Sequence, residues 1–117
     1  MDEVYEISML LDFYGELLTA RQREAIEHHY NNDLSFGEIA EDMDISRQGV
    51  YDNIKRGKAT LYKYEDKLRL VKRFIEIKNE LQSINNILDE IPTDDCSCAK
   101  RNIAQAKTVL LRMINKY

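Results

Sequence analysis

Proline and glycine are scarce in this chain. Its 117 residues include one Pro and four Gly, whereas a fold built of many strands needs turn-forming residues at short intervals. This scarcity excludes most β architectures and predicts an all-α protein. The length fits one domain, or one domain with an appendage, and a hydrophobic fraction of 44% is enough for a modest core.

Long apolar runs and a leader pattern are also lacking. A membrane-spanning helix requires roughly 20 consecutive apolar residues, and no segment of this sequence provides them. No basic segment followed by an apolar stretch marks a signal peptide. We therefore expect a cytoplasmic protein that does not insert into membranes.

Cysteine is almost absent, and the two cysteines, Cys96 and Cys98, are separated by one residue. A disulfide at that spacing would be strained, and two thiols cannot enclose a zinc ion by themselves. The pair suits a reduced compartment. A metal site shared across a dimer is the alternative, but two reduced side chains in a loop are the simpler interpretation.

Arrangements of residues that support catalysis are missing as well. The sequence contains no set of Ser, His and Asp, and no pair of Cys and His, at a spacing that indicates a catalytic site. His28 and His29 would point about 100° apart on a helix, so they cannot share one metal ion there, and we interpret them as a surface pair. Residues 57–60, GKAT, lack the earlier glycine and the preceding strand of a phosphate-binding loop. The sequence therefore predicts a non-enzyme with no metal and no cofactor.

The most informative pattern lies in residues 34–56, LSFGEIAEDMDISRQGVYDNIKR. Ser35 is placed to cap a short helix, with Glu38 as its capping-box partner, and Ser46 is placed to cap a second helix. The inward side chains of the two helices and the turn between them are Ile39, Ala40, Met43, Ile45, Val50 and Ile54. Two short helices joined by a tight turn indicate a helix-turn-helix, which favours a binding module over an enzyme.

The second helix of this motif carries the candidate nucleic-acid-binding residues. They are Ser46, Arg47, Gln48, Tyr51, Lys55, Arg56 and Lys58. Arg and Gln side chains make bidentate contacts with guanine and adenine in the major groove, and residues near the start of the helix reach the bases. Basic side chains farther along would meet phosphates. The alternative is a solvated helix face on a fold that is used for protein contact.

An acidic residue interrupts this face of the helix. Asp52 would repel phosphate, which argues against simple DNA reading. Its carboxylate could accept a hydrogen bond from cytosine, or it could pair with Arg47 or Lys55 on its own helix. We favour the intrahelical pair.

The net charge of −4 conceals an uneven distribution along the chain. Residues 1–44 hold 12 acidic and 2 basic side chains, residues 46–73 hold 9 basic and 3 acidic ones, and residues 74–117 hold 6 of each. The basic segment is centred on the second helix of the motif, where a polyanion would dock. The acidic segment weakens this inference, because it could pair with the basic helix in the same molecule or in a partner subunit.

Apolar periodicity places further helices on both sides of the motif. Residues 3–18 and a helix capped by Thr19 precede it, and its second helix should continue through Tyr64. A heptad seam out of phase with that helix then begins, so we expect a break near residues 65–69. The seam consists of Leu70, Phe74, Ile77, Leu81, Ile84, Leu88 and Ile91. Pro92 should end this helix.

A last helix at residues 97–116 would complete a C-terminal helical hairpin. Its inward stripe would be Ile103, Ala106, Leu110, Met113 and Tyr117. We expect a helix-turn-helix domain at residues 1–66 and the hairpin at residues 67–117. Val71, Ile75 and Ile87 lie off the heptad seam, which favours a homodimer over packing within one chain. A two-fold dimer would suit a helix-turn-helix that reads two half-sites.

Three blocks of this sequence, LLDFYGELLTARQR, LSFGEIAED and ISRQGVYDNIKR, together resemble the YlxM-type helix-turn-helix family of small bacterial proteins. The likeness covers about residues 10–68, and a weaker one extends to the region-four domain of bacterial sigma factors. It implies a sigma-like helix-turn-helix and a role in, or in regulating, the signal recognition particle pathway. The residues that match the family's basic block are Ser46, Arg47, Gln48, Tyr51, Asp52, Asn53, Lys55 and Arg56.

Two departures from the family's pattern accompany this resemblance. Gly49 stands where Ala is usual, at a cost of roughly 1 kcal/mol in helix stability. Arg69 stands where Gly often follows the basic segment, which leaves open whether the break falls at that residue.

These observations predict a DNA-binding regulatory protein without catalytic activity. The alternative is an accessory protein that binds the RNA or the GTPase of the signal recognition particle. RNA helices hide their major groove, so such binding would depend less on Gln48. A third hypothesis is a structural oligomer in which the basic helix and the acidic segment pair between subunits.

Overall fold

The computed structural model describes residues 2–91 and 97–116, and these residues form helices and no strand. The helices are α1 (Glu3–Tyr14), α2 (Ala20–Ile26), α3 (Phe36–Met43), α4 (Arg47–Leu68), α5 (Leu70–Asp89) and α6 (Ser97–Lys116). A 3-10 turn, Gly15–Leu17, follows α1, and a π-helical turn, Glu27–Asn31, extends α2. The predicted all-α class is confirmed. The predictions for Pro92, for the loop at 93–95, for Cys96, for the Cys98 side chain and for Tyr117 lie outside the described residues.

The helices of the N-terminal part begin at the caps that the sequence predicts. The Thr19 hydroxyl accepts a hydrogen bond from the Gln22 backbone, and the Ser35 hydroxyl accepts one from Glu38, each within a reciprocal capping box. The Ser46 hydroxyl accepts a hydrogen bond of 3.0 Å from the Gly49 backbone. Each cap satisfies backbone donors that the first turn of a helix leaves free.

Two compact units divide the chain, Met1–Val71 and Lys72–Tyr117. The core of the first unit is built from α1 to α4, and its largest fully buried side chains are Ile7, Leu10, Tyr14, Ile26, Ile39, Val50 and Leu61. Val4 lies at helical spacing from Ile7 and Leu11, which predicts an inward position, but it is 48% exposed. Because α1 begins only at Glu3, Val4 lies in its first turn, at the edge of the packed surface.

Gly57 lies where α4 packs tightly against α2. A Cβ atom at this position would lie 2.5 Å from the Ile26 Cδ1 atom and 3.3 Å from the Gln22 Cβ atom. Gly57 and Ile26 are both buried. Because Gly57 has no side chain, the backbone of α4 can pack directly against the side chains of α2.

The expected break after α4 is confirmed, and it falls at Arg69. This residue adopts a left-handed conformation with a φ of 55°, which costs a non-glycine residue roughly 1 kcal/mol or more. The Tyr14 hydroxyl donates a hydrogen bond of 2.7 Å to the Glu65 Oε1 atom and accepts one from the Leu70 backbone. The Val71 backbone also donates to Glu65. Side chains of α1 and α4 thus satisfy the first free amides of α5, which offsets the strain.

The second unit contains most of α5 and all of the described α6. The Lys107 ammonium group binds the Asp89 carboxylate, and Leu81 and Ile114 are buried. The predicted heptad seam does not pack as a whole within this unit, because Ile77, Ile84 and Ile91 are 49%, 46% and 41% exposed. The side chains of α5 in this unit that are buried or half-buried are Phe74, Ile75, Lys78, Leu81, Asn85 and Leu88. The inward stripe is therefore rotated relative to the predicted seam, with Lys78 and Asn85 in place of isoleucines.

On α6 the predicted stripe is confirmed at Ile103, Ala106 and Leu110, which are half-buried. It is wrong at Met113, which is 38% exposed, while its neighbour Ile114 is buried. No helix among the described residues has the length and apolar character that crossing a membrane demands.

Candidate nucleic-acid interface

The turn between α3 and α4 has the predicted helix-turn-helix geometry. Asp44 ends α3 in a left-handed conformation with a φ of 55°, and the Ile45 backbone donates a hydrogen bond to the Ala40 carbonyl. Ile45 is half-buried, as expected for the plug of the turn. The Ser46 cap follows directly, so the first turn of α4 stands at the surface of the unit.

Four predicted site residues share the exposed face of α4. Gln48, Tyr51, Lys55 and Arg56 are exposed, and the buried residues Val50, Ile54, Gly57 and Leu61 occupy the opposite face. We call these four residues the exposed stripe. Within the part of the chain that the structure describes, neither Lys55 nor Arg56 forms an ion pair, so both cations face solvent.

Aromatic side chains support the start of this stripe. Tyr51 is 45% exposed, and its ring centroid lies 6.3 Å from that of Phe36, at the beginning of α3. The ring of His29 lies 4.9 Å from that of Phe36, and its Nδ1 atom is hydrogen-bonded to the Leu34 carbonyl at 2.9 Å. These contacts restrict the position of Tyr51 while leaving much of its ring accessible. Sequence reasoning missed Phe36 and His29, although Phe36 stands directly after the predicted cap.

Arg47 lies at the rim between α3 and α4. Its guanidinium group covers Gly37, where an added Cβ atom would lie 3.0 Å from the Arg47 Nη2 atom. The side chain lines an open apolar concavity together with His29, Ser35, Phe36 and Gly37. Arg47 is exposed, and it stands beside the exposed stripe.

The favoured pairing of Asp52 is wrong. The Asp52 Oδ1 atom accepts a hydrogen bond of 3.1 Å from the Gln48 side-chain amide, one helical turn earlier. Among the described residues, Asp52 pairs with neither Arg47 nor Lys55. The spacing of four residues suits an amide donor as well as a cation, and Arg47 is held toward α3 instead. Gln48 is therefore oriented by Asp52, and this bond uses one of the two N–H groups of its side-chain amide.

Lys58 lies apart from the exposed stripe. Its Nζ atom is 2.6 Å from the Glu3 Oε1 atom, and its side chain is 28% exposed. The Tyr30 hydroxyl donates a hydrogen bond to the same carboxylate, and the ammonium group lies 5.4 Å from the centre of the Tyr30 ring. Burial is the largest single influence and lowers the pKa of Lys58, but the hydrogen bonds to Glu3 and Tyr30, together with the charges of these two groups, outweigh burial and raise the pKa overall. Part of the acidic segment thus pairs with the basic helix within one molecule.

Replacement of Glu3 by Gln is expected to destabilise the fold in a pH-dependent way. The hydrogen bond from Lys58, followed by that from Tyr30, lowers the pKa of Glu3. A lowered pKa adds stability above the ordinary carboxyl value, and this stability is lost as the pH falls through the lowered pKa. The wild type should therefore resist urea better than Glu3→Gln at pH 7, and this advantage should decrease as the pH falls below the ordinary carboxyl value. Glu6→Gln is the matched control, and a difference between the wild type and Glu3→Gln that does not change with pH would contradict the assignment.

The comparison with known proteins agrees with this geometry. A family model described as "Putative helix-turn-helix protein, YlxM / p13 like" matches residues 1–107. The chain belongs to this family, UPF0122. It is 52% identical over 106 residues to a UPF0122 protein of Acetivibrio thermocellus, which covers 86% of this chain and 91% of the relative. It is 40% identical over 116 residues to a UPF0122 protein of Desulforamulus reducens, which covers 99% and 97% of the two chains.

Membership of UPF0122 confirms the helix-turn-helix and the family resemblance that the sequence blocks carry. A third relative, the UPF0122 protein BH2485 of Halalkalibacterium halodurans, is 43% identical over 95 residues and covers 81% of this chain and 87% of its own length. The description of the family names the helix-turn-helix and no ligand.

Proposed function

We propose that this UPF0122 protein is a non-catalytic, cytoplasmic regulator that binds duplex DNA through the first turns of α4. The observation that carries this proposal is the exposed stripe on the second helix of the helix-turn-helix. Two basic side chains of the stripe face solvent on a segment of strongly positive charge. In this motif the second helix lies in the major groove, and its first residues contact the base edges.

The residues of the site have different roles in this proposal. Arg47 and Gln48 hydrogen-bond to base edges, and the accessible ring of Tyr51 provides an apolar contact for a thymine methyl group. Lys55 and Arg56 bind phosphates, and the capped N-terminus at Ser46 adds a favourable dipole for a phosphate nearby. Lys58 supports the fold through Glu3 and is left out of the contact set.

A fluorescence anisotropy titration over a salt series tests this function. The full chain is titrated against duplexes selected from a genomic pool, with the signal recognition particle RNA and its isolated GTPase as competitors. Tight binding to selected duplexes with a steep salt dependence is expected, because phosphate contacts release counterions. Weak binding to every duplex, together with competition by the RNA or the GTPase, would overturn it.

The second candidate is an accessory protein of the signal recognition particle, which binds its RNA or GTPase. A row of side chains on the acidic helix α1 and the turn after it favours this role. Tyr5, Phe13 and Leu17 are 49%, 39% and 53% exposed and recur at intervals of eight and four residues, with half-buried Met9 between the first two. An exposed apolar row of this kind suits protein contact. Competition by the RNA or by the GTPase in the same titration tests this second function directly.

We also propose that the protein forms a homodimer through α5. Ile77, Ile84 and Ile91 recur every seven residues and are exposed, and Ile87 beside them is 60% exposed. A stripe at this spacing packs against a second copy of itself in two-stranded helical interfaces. Ile84→Glu should convert the dimer to a monomer in sedimentation velocity at micromolar concentration. Asn79→Glu, on another face of α5, should leave the dimer intact, and a monomeric wild type would refute the proposal.

A further inference from the structure

We propose that this protein binds one divalent transition-metal ion, such as Zn²⁺ or Mn²⁺, between α2 and α3. The ligands are the carboxylates of Glu24 and Asp42 and the imidazole of His28. Their ligand atoms lie within 4.8 Å of one another. His28 and His29 are half-buried. The structure brings His28 next to Asp42, which is distant in sequence.

The distances between these side chains match those around a bound metal ion. The His28 Nε2 atom is 2.9 Å from the Asp42 Oδ2 atom and 3.6 Å from the Glu24 Oε1 atom. Ligands bound at about 2.1 Å stand roughly 3.0–3.4 Å apart in octahedral and tetrahedral coordination. The cluster therefore needs only small side-chain adjustments to surround an ion.

The imidazole nitrogen that faces this cluster is left without a hydrogen bond. The His28 Nε2 atom is fully buried and makes none within the described part of the chain. The Asp42 Oδ2 atom is close enough to accept a hydrogen bond from Nε2. Since no such bond forms, this oxygen lies away from the direction in which an N–H group at Nε2 would point. A buried polar atom without a partner costs about 1–3 kcal/mol. A metal ion on the lone pair of Nε2 would remove this cost.

The other ring nitrogen of His28 has the partner that a metal-binding histidine requires. The Asn32 side-chain amide lies 3.4 Å from the His28 Nδ1 atom. Rotation of this amide by half a turn presents its oxygen to an N–H at Nδ1. That arrangement fixes the proton on Nδ1 and leaves Nε2 free to bind a metal, as in many known sites.

The ligand chemistry defines the class of ion. One imidazole and two carboxylates suit a borderline or hard divalent ion, and their two negative charges balance the charge of that ion. Three protein ligands leave one or more coordination positions for water. Glu24 and His28 are four residues apart, and the π-helical turn begins between them. Such turns occur often at functional sites because they reorient side chains.

A metal ion bound at this position would affect the stability of the fold. Glu24 lies on α2, and Asp42 lies on α3, the first helix of the helix-turn-helix. Bound metal would join these two helices and stabilise the folded unit, because the unfolded chain does not hold the three ligands together. Metal binding by these three residues does not depend on whether the protein binds DNA.

Isothermal titration of the full chain with Zn²⁺ and, separately, with Mn²⁺ tests the site. Both cysteines are replaced by serine in every sample, so that thiols contribute nothing to the signal. The expected result is one ion per chain and a melting temperature that rises with metal concentration. Asp42→Asn and His28→Gln should each weaken binding at least tenfold, whereas the matched control Glu41→Gln should bind as the parent does.

Asp42 is exposed, so Asp42→Asn should fold even if His28→Gln does not. Circular dichroism without metal verifies the folding of each variant. Absence of binding by the parent with both ions, or equal affinity of Asp42→Asn and the parent, would overturn the proposal.

Discussion

Replacement of Arg47 by Ala should lower the affinity for a selected duplex by about 5- to 150-fold. This factor corresponds to the roughly 1–3 kcal/mol that one bidentate contact with a base contributes. Arg47 is exposed and lies beside the exposed stripe, so its removal should affect recognition more than folding. Anisotropy titrations of the two proteins at one salt concentration measure the effect, and discrimination between selected and random duplexes should decrease.

Lys55→Ala provides the contrasting case for this prediction. A lost phosphate contact should weaken binding to all duplexes alike and reduce the slope of log affinity against log salt by about 1. Arg101→Ala in α6 removes the same charge from the other unit and should change neither quantity. Unchanged affinity in both Arg47→Ala and Lys55→Ala would refute the assignment of α4 as the DNA-binding helix.

Replacement of Gly57 by Ala should destabilise the N-terminal unit by about 1–2 kcal/mol. The added methyl group would lie 2.5 Å from the Ile26 side chain, which is fully buried and cannot move into open space. Overpacking of this kind costs about 1–3 kcal/mol, and the better helix propensity of Ala returns at most about 1 kcal/mol. Thermal unfolding followed by circular dichroism should show a decrease of several degrees.

Gly15→Ala is the matched control for the clash at Gly57. A Cβ atom at Gly15 would make only ordinary contacts, at 3.6 Å or more, with Arg23 and Leu11. Gly15 also has a right-handed helical conformation that any residue adopts. The control should melt within about one degree of the wild type or above it. Equal melting temperatures for the two variants would show that α2 and α4 are not held at this distance in solution.

The local features of this fold were predictable because neighbouring residues determine them. Ser35, Ser46 and Thr19 accept hydrogen bonds from amides three residues later, so a short sequence window contains both partners. The exposed stripe follows from the same kind of information, because helical spacing alone separates it from Val50 and Ile54.

Contacts between distant segments account for what the sequence did not predict. Lys58 meets Glu3 across 55 positions, and His28 meets Asp42 only because α3 folds back against the π-helical turn. The difference between the predicted and the observed inward face of α5 has a similar origin. Isoleucine occurs at several heptad positions of this helix, and the sequence alone does not indicate which side of that stripe faces inward. Helical periodicity gives the period of a stripe, whereas tertiary packing selects the side that is buried.

The hydrogen bonds of the Tyr14 hydroxyl with Glu65 and Leu70 make the conformation at the end of α4 depend on α1. A peptide containing only residues 47–89 would lack the Tyr14 hydroxyl. The left-handed conformation of Arg69 would then be less stabilised relative to the right-handed helical one. We therefore expect the break between α4 and α5 to be more stable once α1 has docked. Hydrogen exchange at the Leu70 amide would slow only once the first unit has assembled, so this single amide reports on cooperative folding of the region that carries the exposed stripe.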